Sequence, residues 1–241
     1  MNEEHIIVNF TNNDFQYKLS MNTYFRDLYK YGSDIQEPYD YTKLLQYVRR
    51  ISKNKLIIDV GSNHGLFTIP CAMYGYDVIG FEPVKSNFET MVISKNINSC
   101  ENVTLFNYAL SNKSEQTKIF VPLCTDNASM NSNAAVQNLM WKEYYEEEIT
   151  SITFDDWLST QTINKEIGFI KIDVQGFETP VIEGMVNFLS KVNDIYVYIE
   201  WDEKMTTQCG YDLNNLHNYL INLGFGLQPE QTQGDRLYYK P

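Results

Sequence analysis

The segment LIIDVGSNHGLFT, residues 56–68, gathers the side chains whose types and spacing best suit ligand chemistry. An apolar run ends in Asp59, then Gly61, Ser62, Asn63 and Gly65 follow, and a helical pattern begins. Glycines in such a strand-to-helix turn allow tight geometry and let a ligand approach the backbone. The spacing is GxxxG with no third glycine, which departs from the GxGxxG of dinucleotide sites. Asp59 is placed where its charge would oppose a pyrophosphate, so a ligand with a cationic amine and no phosphate suits the loop better. S-adenosylmethionine is such a ligand. Its amino group meets carboxylate or carbonyl oxygens, and its carboxylate meets loop amides and a helix N-terminus. Glu82 ends GFEP in the next strand pattern. An acidic residue about 20 positions beyond the loop accepts both ribose hydroxyls and disfavours a 2′-phosphate. His64 lies inside the loop and reads as loop packing or a ligand contact rather than a base.

A second set of carboxylates closes later strand patterns: GFIKI ends at Asp173 and DIYVYIE at Glu200. In a parallel sheet, ligands bind beyond the carboxyl ends of the strands, where Asp59, Glu82, Asp173 and Glu200 are all expected. A hydroxyl nucleophile is weak near neutral pH and gains from a positioned base. Asp173 is the first candidate for that base and Glu200 the second. The competing role for Asp173 is to cap the turn at Gly176, whose missing side chain would leave room for an acceptor. Lys171 interrupts an apolar strand and is expected to pair with a carboxylate or emerge at the sheet edge. Asp173, Glu178, Glu200 and Asp202 also form an oxygen-rich set of the kind Mg²⁺ prefers, although spacing alone does not establish a metal site.

The elements that position these groups follow from periodicity. Residues 1–54 read as an N-terminal arm ending in a helix, with Leu44, Leu45, Val48 and Ile51 on one stripe. From residue 55 the pattern alternates: strand 55–60, helix 66–74, strand 76–81, a helix opened by SNFE as a capping box, and strand 103–107. That helix is expected to turn Phe88, Met91 and Val92 inward. Alternation of this kind predicts a parallel sheet with crossover helices. It pauses over an insertion at about 111–166, where 119–122 reads as an edge strand, 126–136 as a loop and KEYYEEEI as an exposed helix. It resumes with strand 168–172, a helix with Pro180 at its first position, strand 194–200 and a helix over 213–223 ending at Gly224. FGLQ and RLYY close the chain as an antiparallel hairpin. The expected architecture is therefore one α/β domain, 55–241, with its insertion and an N-terminal helical arm.

Composition narrows the partners. The chain has 241 residues, 43% hydrophobic and 21% charged, which is a globular profile. Its net charge of −12 leaves few cations for a face that follows a polyphosphate backbone, so nucleic acid is not an expected partner. Four scattered cysteines form no CxxC pair and read as reduced thiols without metal. No signal peptide and no membrane span are read from the sequence, and the expected location is cytoplasmic.

Taken in order, these segments resemble the FkbM-type methyltransferases, within the class I S-adenosylmethionine-dependent fold. The resemblance covers about residues 35–200 and is carried by EPY, IIDVGSNHGLFT, GFEP, FNYALSNK, ITFDDW, IKIDVQGFE and YIEW. It implies a Rossmann-like domain in which Asp59, Gly61, Ser62, Asn63 and Gly65 hold the methionine moiety. Glu82 would hold the ribose, Pro83 would shape the turn, and Asn107, Tyr108 and Ala109 would run beside the adenine. Asp173 and Gly176 would line the methyl-transfer site. Family members methylate hydroxyl oxygens, often on sugars or secondary metabolites. Gln175 departs from the pattern, which often carries Glu there, and is given no base role. Two rival classes, a nicotinamide-dependent oxidoreductase and an inactive cofactor-binding module, fit the loop and ribose positions less well. The acceptor is expected between the arm and the insertion, where Tyr24, Phe25, Tyr29, Tyr31, Trp141, Tyr144 and Tyr145 supply aromatic faces.

Overall fold

The computed structural model describes residues 5–12, 14–22, 34–36, 39–122, 127–136, 143–229 and 234–241. At its centre lies a seven-stranded sheet built from β4 (Leu56–Val60), β5 (Asp77–Phe81), β6 (Val103–Phe106), β10 (Ile167–Ile172), β11 (Ile195–Glu200), β12 (Gly226–Leu227) and β13 (Asp235–Lys240). Their spatial order is β12-β13-β11-β10-β4-β5-β6. Four neighbouring pairs are parallel, while β13 runs antiparallel to both β11 and β12. The chain first winds outward from β4 to β6 and then returns to lay β10 against the other side of β4. That reversal makes the β4–β10 boundary the switch point, where the carboxyl ends of the strands part and a crevice opens.

The apolar runs sort themselves by strand period. Ile57 and Phe169 face one layer, while Leu56, Ile58, Val60, Ile170 and Ile172 face the other. Burial on both faces is why β4 and β10 read as continuous apolar segments rather than alternating ones. On the first face lie the helices α1 (Tyr39–Val48) and α2 (Thr68–Met73), which contribute Leu44, Val48, Ile69 and Cys71 to one core cluster. On the second lie α5 (Phe154–Ser159), α6 (Glu178–Glu183), α7 (Val186–Lys191) and α9 (Leu213–Asn222). Cys71, Cys100 and Cys209 are free thiols.

The arm departs from the expected helical form. It opens with β1 (His5–Thr11) and β2 (Gln16–Asn22), and β3 (Asp34–Gln36) pairs parallel to β1, so a three-stranded sheet precedes the helix. Strand alternation brings Val8, Phe10, Tyr17, Leu19 and Met21 into the core. The outer strand β2 is covered by α3 (Lys85–Ile97). Ser20 N donates to Ser94 Oγ at 2.8 Å, and Lys18 N donates to Asn98 Oδ1 at 3.0 Å. This explains why α3 buries Asn87, Thr90, Met91 and Ser94 instead of the Phe88 and Val92 stripe, both of which are only half-buried. An edge strand needs polar partners for its backbone, and the inner face of α3 supplies them. Nor does SNFE form a capping box. The helix begins at Lys85 after Val84, and Glu147 of the insertion accepts the Lys85 amide at 2.8 Å.

The insertion carries the largest difference. Residues 142–149 were expected to be an exposed helix, yet Tyr144–Ile152 form strand β9. Strand β9 pairs antiparallel with β8 (Glu115–Pro122) and parallel with β7 (Ala109–Leu110). Cross-strand contacts hold its acidic face, Lys118 pairing with Glu146 at 2.7 Å, while Ile119, Val121 and Ile149 pack inward with Val84. A short helix α4 (Ser132–Ala135), capped by Asn131, interrupts the expected loop. One more helix, α8 (Glu203–Gln208), precedes α9. Pro180 occupies the third position of α6, still within the first turn, where no amide is required. Glu37, Pro38, Tyr24, Phe25, Tyr29, Tyr31, Cys124 and Trp141 lie outside the described residues.

Trp157 of α5 joins the insertion to the main sheet. Its ring meets Phe81 and Phe106 edge-on at 4.9 Å and 5.4 Å between centroids, and it is 1% exposed. Trp157→Ala is expected to cost about 3–5 kcal/mol of unfolding free energy, measured by urea denaturation. A loss below about 1 kcal/mol would contradict this packing.

Candidate active site

A pocket of about 250 Å³ opens at the carboxyl ends of β4, β5 and β10. Gly61, Asn63, Glu82, Pro83, Tyr108, Ala109 and Asp173 line it, as do Phe81, Leu110 and Ile119. The insertion closes one side through Asn127, Ala128, Ser129 and Met130. Thus the structure brings together seven of the sequence-derived site residues. The remaining five, Asp59, Ser62, Gly65, Asn107 and Glu200, are not part of that lining.

Asp59 was expected to face the ligand. Instead its carboxylate is fully buried under the loop, where Oδ2 accepts from Thr68 Oγ1 at 2.6 Å and Oδ1 lies 3.4 Å from Lys171 Nζ. Burial pushes its carboxyl above the usual range despite Lys171 and Thr68. The residue anchors the loop to the start of α2 and to β10. Lys171 takes the paired form of its two expected placements: its ammonium also lies 3.3 Å from Asp173 Oδ2 and donates to Gly61 O at 3.3 Å. Gly61 has φ +77, and a Cβ there would stand 1.9 Å from the Asp173 carbonyl oxygen, so only glycine lets the two loops approach. Ser62 Oγ donates to Asp59 O at 2.9 Å, and His64 packs against Asn63, 1% exposed, as its loop position suggested.

Glu82 follows β5 directly, with both carboxylate oxygens oriented by the backbone. Oε2 accepts from Asn63 N at 2.8 Å and Oε1 from Val84 N at 2.9 Å. Burial still raises its pKa to about 7, against the pull of those amides. Asn107 sits outside the pocket wall and clamps this turn, donating to Glu82 O at 2.8 Å and Pro83 O at 2.9 Å. Asn87 of α3 was missed by the sequence reading. It is 2% exposed, lines the pocket beside Glu82, and has a buried Oδ1 with no hydrogen-bond partner among the described residues. Placing the start of α3 at Lys85 would have exposed the signal, since Asn87, Thr90, Met91 and Ser94 share one helical face.

Asp173 follows β10 and opens onto the pocket. Burial raises its carboxyl, but Lys171, the Gln175 amide and the Glu200 carboxyl outweigh that and hold it below the usual carboxylate range. Glu200 ends β11, and burial together with the nearby Asp173 and Glu178 pushes it well above. Gln175 Nε2 donates to Asp173 Oδ1 at 2.8 Å and to Glu200 Oε2 at 2.9 Å. A hydrogen-bond donor thus joins two of the four carboxylates considered for Mg²⁺, Asp173 and Glu200, and among the described residues no group of three or more His, Cys, Asp or Glu is arranged to hold a metal ion. Gly176, with φ +96, does not make room for an acceptor. Its absent Cβ would meet Cys209 Sγ at 2.8 Å and Met205 O at 3.0 Å, so it admits α8.

The profile of the Methyltransferase FkbM domain family matches residues 59–227. No curated protein matches the sequence. Among solved structures, a T. Thermophilus 16S rRNA methyltransferase in complex with AdoMet and guanosine superposes with a TM-score of 0.54 at 10% identity, covering 98% of this chain and 50% of that one. A precorrin-6y C5,15-methyltransferase from Geobacter metallireducens gives 0.49 at 9% identity, covering 83% and 88%. A TehB-like SAM-dependent methyltransferase from Corynebacterium glutamicum gives 0.47 at 12%, covering 90% and 94%. No described helix is long and apolar enough to cross a membrane. With its family profile spanning the β4 end, the glycine loop, Glu82, Asp173 and Glu200, the chain belongs to the FkbM methyltransferase-domain family.

Proposed function

We propose that this protein transfers a methyl group from S-adenosylmethionine to a hydroxyl oxygen on a sugar or glycan. The observation that carries the reading is the Asp173 carboxylate, flanked by Lys171 and the Gln175 amide, opening onto the same pocket as the backbone-oriented carboxylate of Glu82. The donor supplies an electrophilic methyl group on a cationic sulfur. The residues present suit it. Glu82 faces the ribose hydroxyls, and Phe81, Tyr108, Leu110 and Ile119 offer an apolar slot for the adenine. Gly61 and Asn63 give the methionine end backbone access, with Ser62 and Gly65 shaping the loop and Asp59 fixing it from below.

Holding acceptor and donor in line supplies much of the barrier reduction, of the order of 7–11 kcal/mol for well-oriented reactants. Asp173 would take the hydroxyl proton as the acceptor oxygen bonds to the methyl carbon and the sulfur–methyl bond breaks, with the Glu200 carboxyl, pushed well above its usual range by burial, Asp173 and Glu178, beside it. An acidic protein favours a neutral glycan hydroxyl over a phosphorylated or nucleic-acid acceptor. The wall formed by residues 127–130 and strand β8 selects the acceptor. A cytoplasmic setting supplies the donor and suits free thiols.

Four outcomes test this reading. By calorimetry, S-adenosylhomocysteine is expected to bind and NAD to bind far more weakly; equal or tighter NAD binding removes the methyltransferase assignment of the pocket. Glu82→Ala is expected to weaken S-adenosylhomocysteine by about 1.5–3 kcal/mol, the size of hydrogen bonds to a charged group. Glu82→Gln has a separate signature in the free protein. The Glu82 pKa is raised from 4.5 to about 7, so the folded state retains a proton that the unfolded state releases, and stability falls as pH rises through that window. The melting temperature of Glu82→Gln relative to wild type should therefore climb between pH 5 and 8, and a constant difference would place the carboxylate in water. Finally, Asp173→Asn should keep the fold and the donor affinity while lowering turnover by about 10²–10⁴-fold, measured by mass spectrometry of methylated glycans. Near-normal turnover would transfer the base role to Glu200.

A further inference from the structure

Between Asp173 and Glu200 stands a neutral side chain with no base role, Gln175. One amide nitrogen carries two N–H groups, and each meets a different carboxylate, at 2.8 Å and 2.9 Å. The residue adopts φ +56, a left-handed conformation that costs a non-glycine residue energy and persists only where its surroundings impose it. The surroundings do so on both sides. Ser129 Oγ of the insertion donates to the Gln175 carbonyl at 2.8 Å, and Glu178 Oε1 accepts from Val174 N and Gly176 N at 3.1 Å each.

We propose that Gln175 is a positioning residue for methyl transfer, its amide clamping Asp173 and Glu200 into one pair that keeps Asp173 open to the pocket as the proton acceptor. The inference rests on Asp173 serving as the base. Charged groups reach the pair from several elements. Lys171 of β10 faces Asp173, with Asp59 of β4 on the far side of the ammonium, while Glu178 of α6 and Asp235 of β13 face Glu200. A carboxylate at 175 would add a further anion and remove both donors. An apolar side chain would remove both donations and leave the pair to the hydrogen bond between the Asp173 and Glu200 carboxyls. Only a donor without charge satisfies both and leaves the Lys171 attraction to Asp173 undiluted. Because Ser129 holds the Gln175 backbone, the clamp also ties the insertion wall to the reacting end of the pocket.

The test compares wild type with Gln175→Met, which keeps the length and loses the donors, and Gln175→Glu, which keeps the shape and adds charge. ¹³C-carboxyl NMR titration of the free protein, assigned with Asp173→Asn, needs neither donor nor acceptor. In Gln175→Met the Asp173 midpoint is expected to move up by about one pH unit, since a hydrogen bond to the charged form is lost. The acid limb of turnover should follow it upward, with kcat down about 10-fold or more and KM values within about twofold. Gln175→Glu should move the Asp173 midpoint further. If Gln175→Met does not fold, as judged by circular dichroism, Gln175→Asn tolerates the left-handed backbone and is expected to show the same upward shift. An Asp173 midpoint that stays put while only the melting temperature drops would make Gln175 a turn residue and overturn the proposal. A wild type that methylates no glycan would instead defeat the proposed activity, and the titration would still be readable.

Discussion

The site depends on one buried cation. Lys171 is 3% exposed near the carboxyl end of an otherwise apolar strand, and an ammonium so placed persists only with anions around it. Asp59 at the end of β4, Asp173 at the end of β10 and the Gly61 carbonyl surround it. The two strands that meet at the topological switch point are thus joined at their carboxyl ends by charge as well as by the ladder. From that junction the glycine loop takes its path, Thr68 is drawn onto Asp59, and α2 starts where it does. The same ammonium separates two aspartates by role: one is sealed under the loop, and the other, held below the usual carboxylate range, opens onto the pocket.

Acidity around this junction is graded. Glu82 and Glu178 are pushed to about 7, and Glu200 well above the usual range, all chiefly by burial. Burial of this many carboxyls near one ammonium is costly in the free protein, and a cationic ligand relieves it. That relief favours a sulfonium donor with a free amino group over a phosphate-bearing cofactor, in agreement with the GxxxG spacing. Pockets that carry perturbed titratable groups in a crevice are where chemistry concentrates.

The parallel core was legible in the sequence because β4, β5 and β10 are short apolar runs closed by acidic residues and glycine, a pattern with few other solutions. The candidate carboxylates came with it, at or just beyond those strand ends, although only Glu82 and Asp173 line the pocket. What was not legible came from tertiary demands. The run EEE in β9 looks like a solvated helix, but its pairing with β8 makes alternate residues inward and lets Glu147 cap α3 from far along the chain. The buried face of α3 is polar because an edge strand lies on it, and no apolar stripe could have announced that. Asp59 was placed at the right strand end with the wrong outlook, because only the structure shows Lys171 and Thr68 claiming its oxygens. Gln175 looked like a lost charge, whereas geometry makes the absent charge the useful property.

A crystal structure of the protein with S-adenosylhomocysteine tests the central claim most directly. The account places the ribose hydroxyls on the Glu82 carboxylate, the homocysteine end over Gly61 and Asn63, and the sulfur on the side of the pocket that Asp173 faces. Ligand density elsewhere on the molecule, or in this pocket with the ribose turned away from Glu82 and the sulfur remote from Asp173, would contradict it.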